Sequence, residues 1–440
     1  MAVKKTRNKN GIFAAVGAAT GLGNAFRFPA LCVSYGAAFI FAYAAALALV
    51  CFPLLTAELA FGRKPAGRGA KVWATIARAA AVNSALIALY YGVIAAKLGS
   101  ESLSFLVFAG GSGADLNGYA LFALALILSL TAVYALLKGG ARAFNMSGKI
   151  SVCASLALFL PLAVAGIVRG GAFTGTDFSC LAGGAVWADA LGQALLSLSL
   201  AAGVMPAFAR MQPDAFSPVK TALKITLANF AGCLLAALST LPFITFIPRT
   251  VGVSCGISVY NQVIYALFGG FYARAAGFLI FGALTLVAVH SLASLSLPAV
   301  SRSVTGRGAI IFVALAALLS PLFLLNGMEA LAACDRAACT VNAVLIAAAE
   351  CLFFASQRHI RGVIGFFVRF ICPVACFPLA LFSLCTARFG EFSVLAVCCS
   401  VGCFCAVLLA AAAPRFLPIG KNYDNSRQIS QKGLQFIIIV

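Results

Sequence analysis

"GAATGLGNAFRFP", Gly17 to Pro29, lies inside an apolar run near the start of the chain. It holds three glycines, an asparagine, an arginine and a proline, residues that loosen, polarise or stop a helix. In hydrocarbon every backbone N–H and C=O needs a partner, so a broken helix persists only inside protein or around a cavity. Two readings follow. Gly17 and Gly21 form a small-xxx-small pair suited to close helix packing. Alternatively, Gly21-Leu22-Gly23-Asn24 is a true interruption that frees backbone groups for a ligand.

The remainder of the chain sets the context. Of 440 residues, 63% are hydrophobic and 10% charged, with a mean hydropathy of +1.04. Soluble domains have about 45–50% apolar and about 25% charged residues, so this composition predicts a multi-span membrane protein. Apolar runs bounded by charge or by Gly and Pro number twelve, roughly 12–29, 37–58, 83–109, 118–137, 150–168, 187–208, 221–246, 275–299, 308–325, 338–355, 363–386 and 391–413. Residues 256–271 read as a helical part of an outer loop. No cleavable signal peptide is visible, because the apolar stretch after "VKKTRNKNG" merges into the glycine motif.

The net charge of +20 is not spread evenly. With the N-terminus inside, 24 of the 31 Lys and Arg residues fall on inner segments, the bias of the positive-inside rule. The surplus is therefore topology, with anionic lipid as its counter-charge and no nucleic acid as partner. With the N-terminus inside, an even number of spans puts both termini in the cytoplasm, and the plasma membrane is the expected location. The sixteen cysteines show no metal-ligand spacing. Cys398, Cys399, Cys403 and Cys405 read as small packing residues of the last span, while Cys334 and Cys339 flank an outer loop at a spacing that leaves pairing open.

A second interruption decides between the two readings of Gly17–Pro29. The sixth span, "WADALGQALLSLSLAAGVMPAF", is broken by Ser197, Ser199, Gly203 and Pro206. Interrupted helices at corresponding places in two halves point to a midplane binding site, where half-helix N-termini face an anion and freed carbonyls hold a cation. The predicted fold is an all-α polytopic membrane protein of about 12 transmembrane helices, an inverted 5+5 repeat with helices 1 and 6 discontinuous. Repeat one covers about 11–168, repeat two about 187–355, two extra helices about 363–413 and a C-terminal tail 414–440.

These residues resemble the neurotransmitter:sodium symporter family, in its bacterial leucine-transporter-like form. "GLGNAFRFP" is similar to the family's first-helix signature, and "FPLLTAELAFGR" to the end of its second helix, with Glu58 in the acidic position. "LIALYYGVI" resembles the third helix with Tyr90 and Tyr91, and "GQALLSLSLAAG" the sixth. Asn229 stands thirteen residues before Pro242, and Asp335 and Glu350 match two acidic positions of the tenth helix.

The resemblance implies sodium-coupled symport of an amino acid by alternating access. A first sodium site would use Ala19, Asn24, Ser197 and Asn229, completed by the substrate carboxylate, all hard oxygen ligands. The substrate carboxylate would also meet Leu22, Gly23 and Tyr91, and its amino group Ala19, Leu196 and Ser197, with Ser199 nearby. The side-chain pocket falls on Ala18, Ile87, Leu196, Ala202, Ser291 and Leu295; Leu196 and Ala202 stand where the leucine transporter's pattern commonly has larger residues, which leaves room for a branched or aromatic side chain, at about 0.8 kcal/mol per buried CH₂. Arg27, which costs roughly 2.5–3.5 kcal/mol to insert alone, would form an outer gate with Asp335.

The chain also departs from the family pattern. A second sodium site would fall on Gly17, Thr20, Val287, His290 and Ser291, and His290 stands where the family has a hydroxyl. An imidazole is a poor sodium ligand that titrates near neutrality. Either His290 turns away and sodium binds with fewer ligands, or its proton replaces the second sodium; packing alone is the third reading. The ion requirement is therefore one or two sodium ions, with chloride dependence open because Cys233 lies where a charged group is expected. The family's inner-gate Trp and eighth-helix acid are missing around Lys4–Arg7 and in "SLPAVSRSVTG". An amino-acid sensor of the same fold, or a partly proton-coupled transporter, stands as the alternative. A membrane-embedded enzyme is excluded on composition: the only histidines, His290 and His359, lie far from most of the acids.

Overall fold

The computed structural model describes residues 12–63, 70–108, 116–170, 178–212, 216–244, 253–300, 307–357, 360 and 362–386. Helices account for nearly all of them. The chain opens with α1 (Ile12–Ala19), breaks over residues 20–22, and resumes through a wide π-turn (Gly23–Arg27) into α2 (Phe28–Tyr35). A second span follows, α3 (Ala38–Ala46) running through another π-turn into α4 (Phe52–Arg63). Next come α5 (Ala70–Phe108) and α6 (Leu116–Arg169).

The 54 residues of α6 are far too many for one crossing, which needs about 20. Gly140 interrupts the run with φ 61°, a left-handed value natural to glycine, and it separates the two expected spans 118–137 and 150–168. The second half repeats the opening pattern. α7 (Gly184–Ser197) breaks before α8 (Val204–Met211), and α9 (Pro218–Thr240) follows. α9 starts where a helix should: Pro218 occupies its first turn and the Ser217 hydroxyl accepts from the Lys220 N–H at 3.4 Å. Then come α10 (Val253–Leu267), matching the expected loop helix, α11 (Gly270–Val300) and α12 (Arg307–Leu319). α13 (Glu329–Arg336) continues through a π-turn into α14 (Ala343–Ala355). α15 (Gly362–Phe366) leads similarly into α16 (Cys372–Thr386).

Seven of these helices are long and apolar enough to cross a membrane unbroken, and Gly308–Leu324 is a shorter apolar helix. The lower count reflects the two broken spans and the doubled α6. Eleven of the twelve expected spans are thereby placed; the twelfth, 391–413, lies outside the described residues with the cysteine cluster Cys398–Cys405.

One detail of the expectation is corrected. The sixth span breaks over residues 198–203, and Pro206 is not part of the interruption but sits in the first turn of α8. Proline is tolerated there because that N–H has no intrahelical partner.

α11 packs along α5 and α6 and forms the wall against which the broken segments lie. α1 is pressed onto α6. A Cβ on Gly148 would come within 2.1 Å of the Phe13 carbonyl oxygen, and one on Gly17 within 2.7 Å of the Gly148 Cα. Gly148→Ala must therefore push α1 away from α6. The expected loss is roughly 1–3 kcal/mol from overpacking, read as a lower thermal midpoint in detergent. Gly92→Ala, whose Cβ meets nothing nearer than Leu130 Cδ2 at 4.0 Å, is the matched control and should not lower the midpoint.

Candidate binding site at the two helix breaks

The two interruptions face each other through side chains that close the gap. Gln193, on α7, donates to the Gly23 carbonyl oxygen at 3.0 Å. Asn24 is fully buried beside α9, next to Gly232. Its amide nitrogen donates to Ala19 O at 3.2 Å and to Asn229 Oδ1 at 3.0 Å. Its Oδ1 has no hydrogen-bond partner. An orphaned oxygen in a dry interior is costly, so it marks a place for a cation or a donor.

Tyr43 links this asparagine pair to the second break. Its hydroxyl accepts from Asn229 Nδ2 at 2.7 Å and lies 2.9 Å from Ser197 Oγ and 3.3 Å from Cys233 Sγ. Four of the expected residues, Ala19, Asn24, Ser197 and Asn229, thus belong to one buried network. Sequence reasoning missed Tyr43 as its hub. The available signal was a single hydroxyl in the otherwise apolar "FIFAYAAAL".

The second break carries unusual backbone. Ser199 and Ala201 have φ of 51° and 53°, and Gly203 has 72°. Left-handed values cost non-glycine residues energy and persist only when surroundings enforce them. Here Glu58 does so: Oε1 accepts from the Ala201 N–H at 2.9 Å. Both Glu58 and Glu350 are completely buried and lie side chain to side chain. The sequence marked both acids by resemblance, not as supports for the break.

The other expected residues are placed as follows. Tyr91 is buried on α5, and its hydroxyl has no partner within the described residues. Ala18, Ile87, Ala202, Ser291 and Leu295 are buried, and Leu196 is half-buried with its side chain near Gly23. Leu22 is buried in the first break, and Ser199 in the second. Ser84 Oγ donates to Leu295 O at 2.7 Å and fixes α5 against α11.

Of the second cluster, Ser291 Oγ is buried without a partner and stands against Gly21. Thr20 donates its hydroxyl to Val16 O, and Val287 is buried. His290 touches Gly17, but both of its ring nitrogens are engaged: Nε2 lies 3.1 Å from Ala14 O and Nδ1 3.0 Å from Ser147 Oγ. The ring therefore ties α1 to α6.

Arg27 and Asp335 meet at 3.7 Å. Asp335 is further held by Tyr90, whose hydroxyl donates to Oδ1 at 2.9 Å, and by the Cys339 thiol at 3.5 Å. Cys334 and Cys339 are both buried and free of disulfide. Among the described residues no group of His, Cys, Asp and Glu could hold a metal ion. The inner-gate segments, residues 1–11 and 301–306, lie outside the described residues.

Two helices, each broken along its length, are joined by buried oxygens. The sequence pattern of the Sodium:neurotransmitter symporter family matches residues 5–109. An uncharacterized sodium-dependent transporter of Methanocaldococcus jannaschii is 28% identical over 361 residues, covering 71% of this chain and 73% of that protein. The inactive sodium-dependent neutral amino acid transporter B(0)AT3 of Homo sapiens is 27% identical over 286 residues, 53% of this chain and 46% of its own, so the chain spans under half of that relative. The crystal structure of MhsT in complex with L-phenylalanine superimposes with a TM-score of 0.74 at 21% identity, over 86% of this chain and 99% of that one. The chain thus resembles the sodium:neurotransmitter symporter family over residues 5–109 and shares the fold of MhsT over most of its length. Its long apolar helices and these likenesses support a multi-pass membrane transporter.

The support of the strained turn is testable. Glu58→Ala leaves the buried Ala201 N–H without an acceptor, a loss of roughly 1–3 kcal/mol, whereas Glu58→Gln retains a carbonyl oxygen and should keep most of the stability. Thermal midpoints of the two variants separate the outcomes.

Proposed function

We propose that this protein carries a neutral amino acid with a branched or aromatic side chain, together with sodium, by alternating access. The observation that carries this reading is the buried network at the two breaks. Asn24 donates its amide nitrogen to Ala19 O and Asn229 Oδ1 and leaves its own Oδ1 unpartnered, in a network that reaches Ser197 Oγ through Tyr43. These are the hard oxygens an alkali cation prefers. Sodium here is cargo. On arrival it would take over the Asn24 oxygen, and the substrate carboxylate would complete its shell. A zwitterion leaves water only when both of its charges are met. The Tyr91 hydroxyl and the N–H groups around Leu22 and Gly23 would meet the carboxylate; carbonyls at Ala19, Leu196 and Ser197, with Ser199 nearby, would meet the ammonium. Ala18, Ile87, Leu196, Ala202, Ser291 and Leu295 would surround the side chain.

Arg27 and Asp335 would close the outer side, with both termini cytoplasmic at the plasma membrane. Residues 11–168 and 187–355 would form the two repeats that rock against each other. Because His290 spends both ring nitrogens on Ala14 and Ser147, Ser291 is left as the one α11 hydroxyl of the second cluster, and we assign one sodium per cycle. Cys233 beside Tyr43 offers no charge of its own, which leaves room for a chloride requirement.

Uptake into proteoliposomes tests this directly. Asn24→Ala and Asn229→Ala should each weaken sodium dependence by about tenfold or more, since water replaces a buried ligand poorly. Unchanged sodium titrations in both would refute the site. Leucine- or phenylalanine-sized amino acids should compete best; the best competition from glycine or glutamate would overturn the pocket reading. The wild-type sodium Hill coefficient should be about one, and a value near two would overturn the single-ion assignment. Binding without sodium-driven accumulation would instead favour a sensor.

A further inference from the structure

Neither the network at the breaks nor the outer pair uses Glu350, although it is an acid completely buried in the bundle. It lies on α14 and meets Glu58 of α4 side chain to side chain. Glu58 is equally buried, and neither acid forms an ion pair with a described Lys, Arg or His.

Counting donors and acceptors shows what the pair lacks. Glu58 Oε1 accepts from the Ala201 N–H at 2.9 Å. Glu58 Oε2 and both oxygens of Glu350 have no donor among the described residues. An ionised carboxylate only accepts, so two of them in contact repel and satisfy nothing in each other. A protonated carboxyl carries one O–H donor, and one proton turns the repulsive contact into a hydrogen bond to a charged acceptor. The negative charge belongs on Glu58, which already has the Ala201 N–H to stabilise it. Glu350 has no such donor, so the proton belongs there.

The surroundings offer no other compensation. The nearest titratable groups are thiols: Cys51 just before α4, Cys351 beside Glu350, and Cys372 and Cys376 on α16. Arg210 on α8, Lys220 and Lys224 on α9, and Arg369 in the turn before α16 are exposed. On α7, Asp189 is engaged by Tyr35, and the charged residues of α5, Arg78, Lys97 and Glu101, act on neither acid.

We propose that Glu58 and Glu350 form a proton-binding site, in which Glu350 carries the proton and donates it to the Glu58 carboxylate. The proton completes a chain from α14 through α4 to the strained turn: Glu350 to Glu58, and Glu58 to the Ala201 N–H. It holds Glu58 in place and, through it, the left-handed backbone at Ser199 and Ala201. Loss of the proton to water leaves two carboxylates in contact, and Glu58 can retreat from its neighbour only by pulling on the Ala201 bond. The second break therefore keeps this shape only while the proton is bound. The assignment does not depend on what the protein carries, so it can fail while the sodium site stands.

The test uses the purified full-length protein and infrared difference spectroscopy. Near neutral pH the wild type should show the carbonyl stretch of a protonated carboxylic acid, shifted in heavy water and lost in Glu350→Gln. The glutamine keeps an N–H donor towards Glu58, so the thermal midpoint of that variant should stay close to the wild type. Glu350→Met fills similar space without a donor and should lower it. Stability should also decline more steeply with rising pH in the wild type than in Glu350→Gln. The native protein holds a proton that an unfolded glutamate, titrating at about 4.3, has already lost, and the state that binds more protons is weakened as pH rises. Equal pH slopes in the two proteins would overturn the proposal, as would full persistence of the acid band in Glu350→Gln. Absence of that band from the wild type would overturn it without any variant having to fold.

Discussion

A backbone amide or carbonyl in the middle of a bilayer has no water to turn to, and each one left unpaired costs several kcal/mol. Everything distinctive in this molecule is arranged around two places where that rule is strained. At residues 20–22 and 198–203 the regular helical ladder is interrupted, and side chains bond to the backbone at and beside the breaks. Gln193 serves Gly23, Glu58 serves Ala201, and Asn24 turns back on Ala19. These partners come from α7, α4 and the π-turn after the first break, so the interruptions are stable only once the bundle has assembled. The glycines at Gly17 and Gly148 serve the same end, since they let α1 approach α6 closely enough for His290 to reach Ala14 and Ser147.

The fold was largely readable because hydrocarbon enforces simple rules. Span lengths and the glycine-asparagine interruption each follow from the cost of exposing polar groups to lipid. The sequence separated the spans 118–137 and 150–168, but not the residue on which the chain turns between them, which is Gly140 with its φ of 61°. Pro206 misled in the opposite direction, because a proline marks an interruption only when it lies beyond the first turn.

The members of the buried network at the two breaks were readable, but its wiring was not. Asn24, Ser197 and Asn229 are polar residues in apolar spans, and that anomaly points to a role. Tyr43 looked like ordinary aromatic packing, which it also does, at 4.9 Å from Phe28. What makes it the hub is the convergence of three hydroxyl contacts from residues more than 150 positions away, and no local pattern encodes that. His290 was readable as a departure, but its partners at Ala14 and Ser147 depend on how closely α1 and α6 pack.

The outer pair extends the same reasoning to motion. Arg27 reaches Asp335 only at 3.7 Å, and its Nη1 is buried without a hydrogen bond. Tyr90 holds the other carboxylate oxygen of Asp335 at 2.9 Å, so the acid is anchored to α5 first and shared with Arg27 second. A fully engaged buried ion pair is expensive to separate, since each charge is left uncompensated. A long pair whose acid already has another partner separates at lower cost, because Asp335 keeps the Tyr90 bond when Arg27 leaves. In the reading proposed above that is the property required of a gate: enough attraction to close over a bound zwitterion, and a second anchor that keeps the carboxylate from being stranded when it opens.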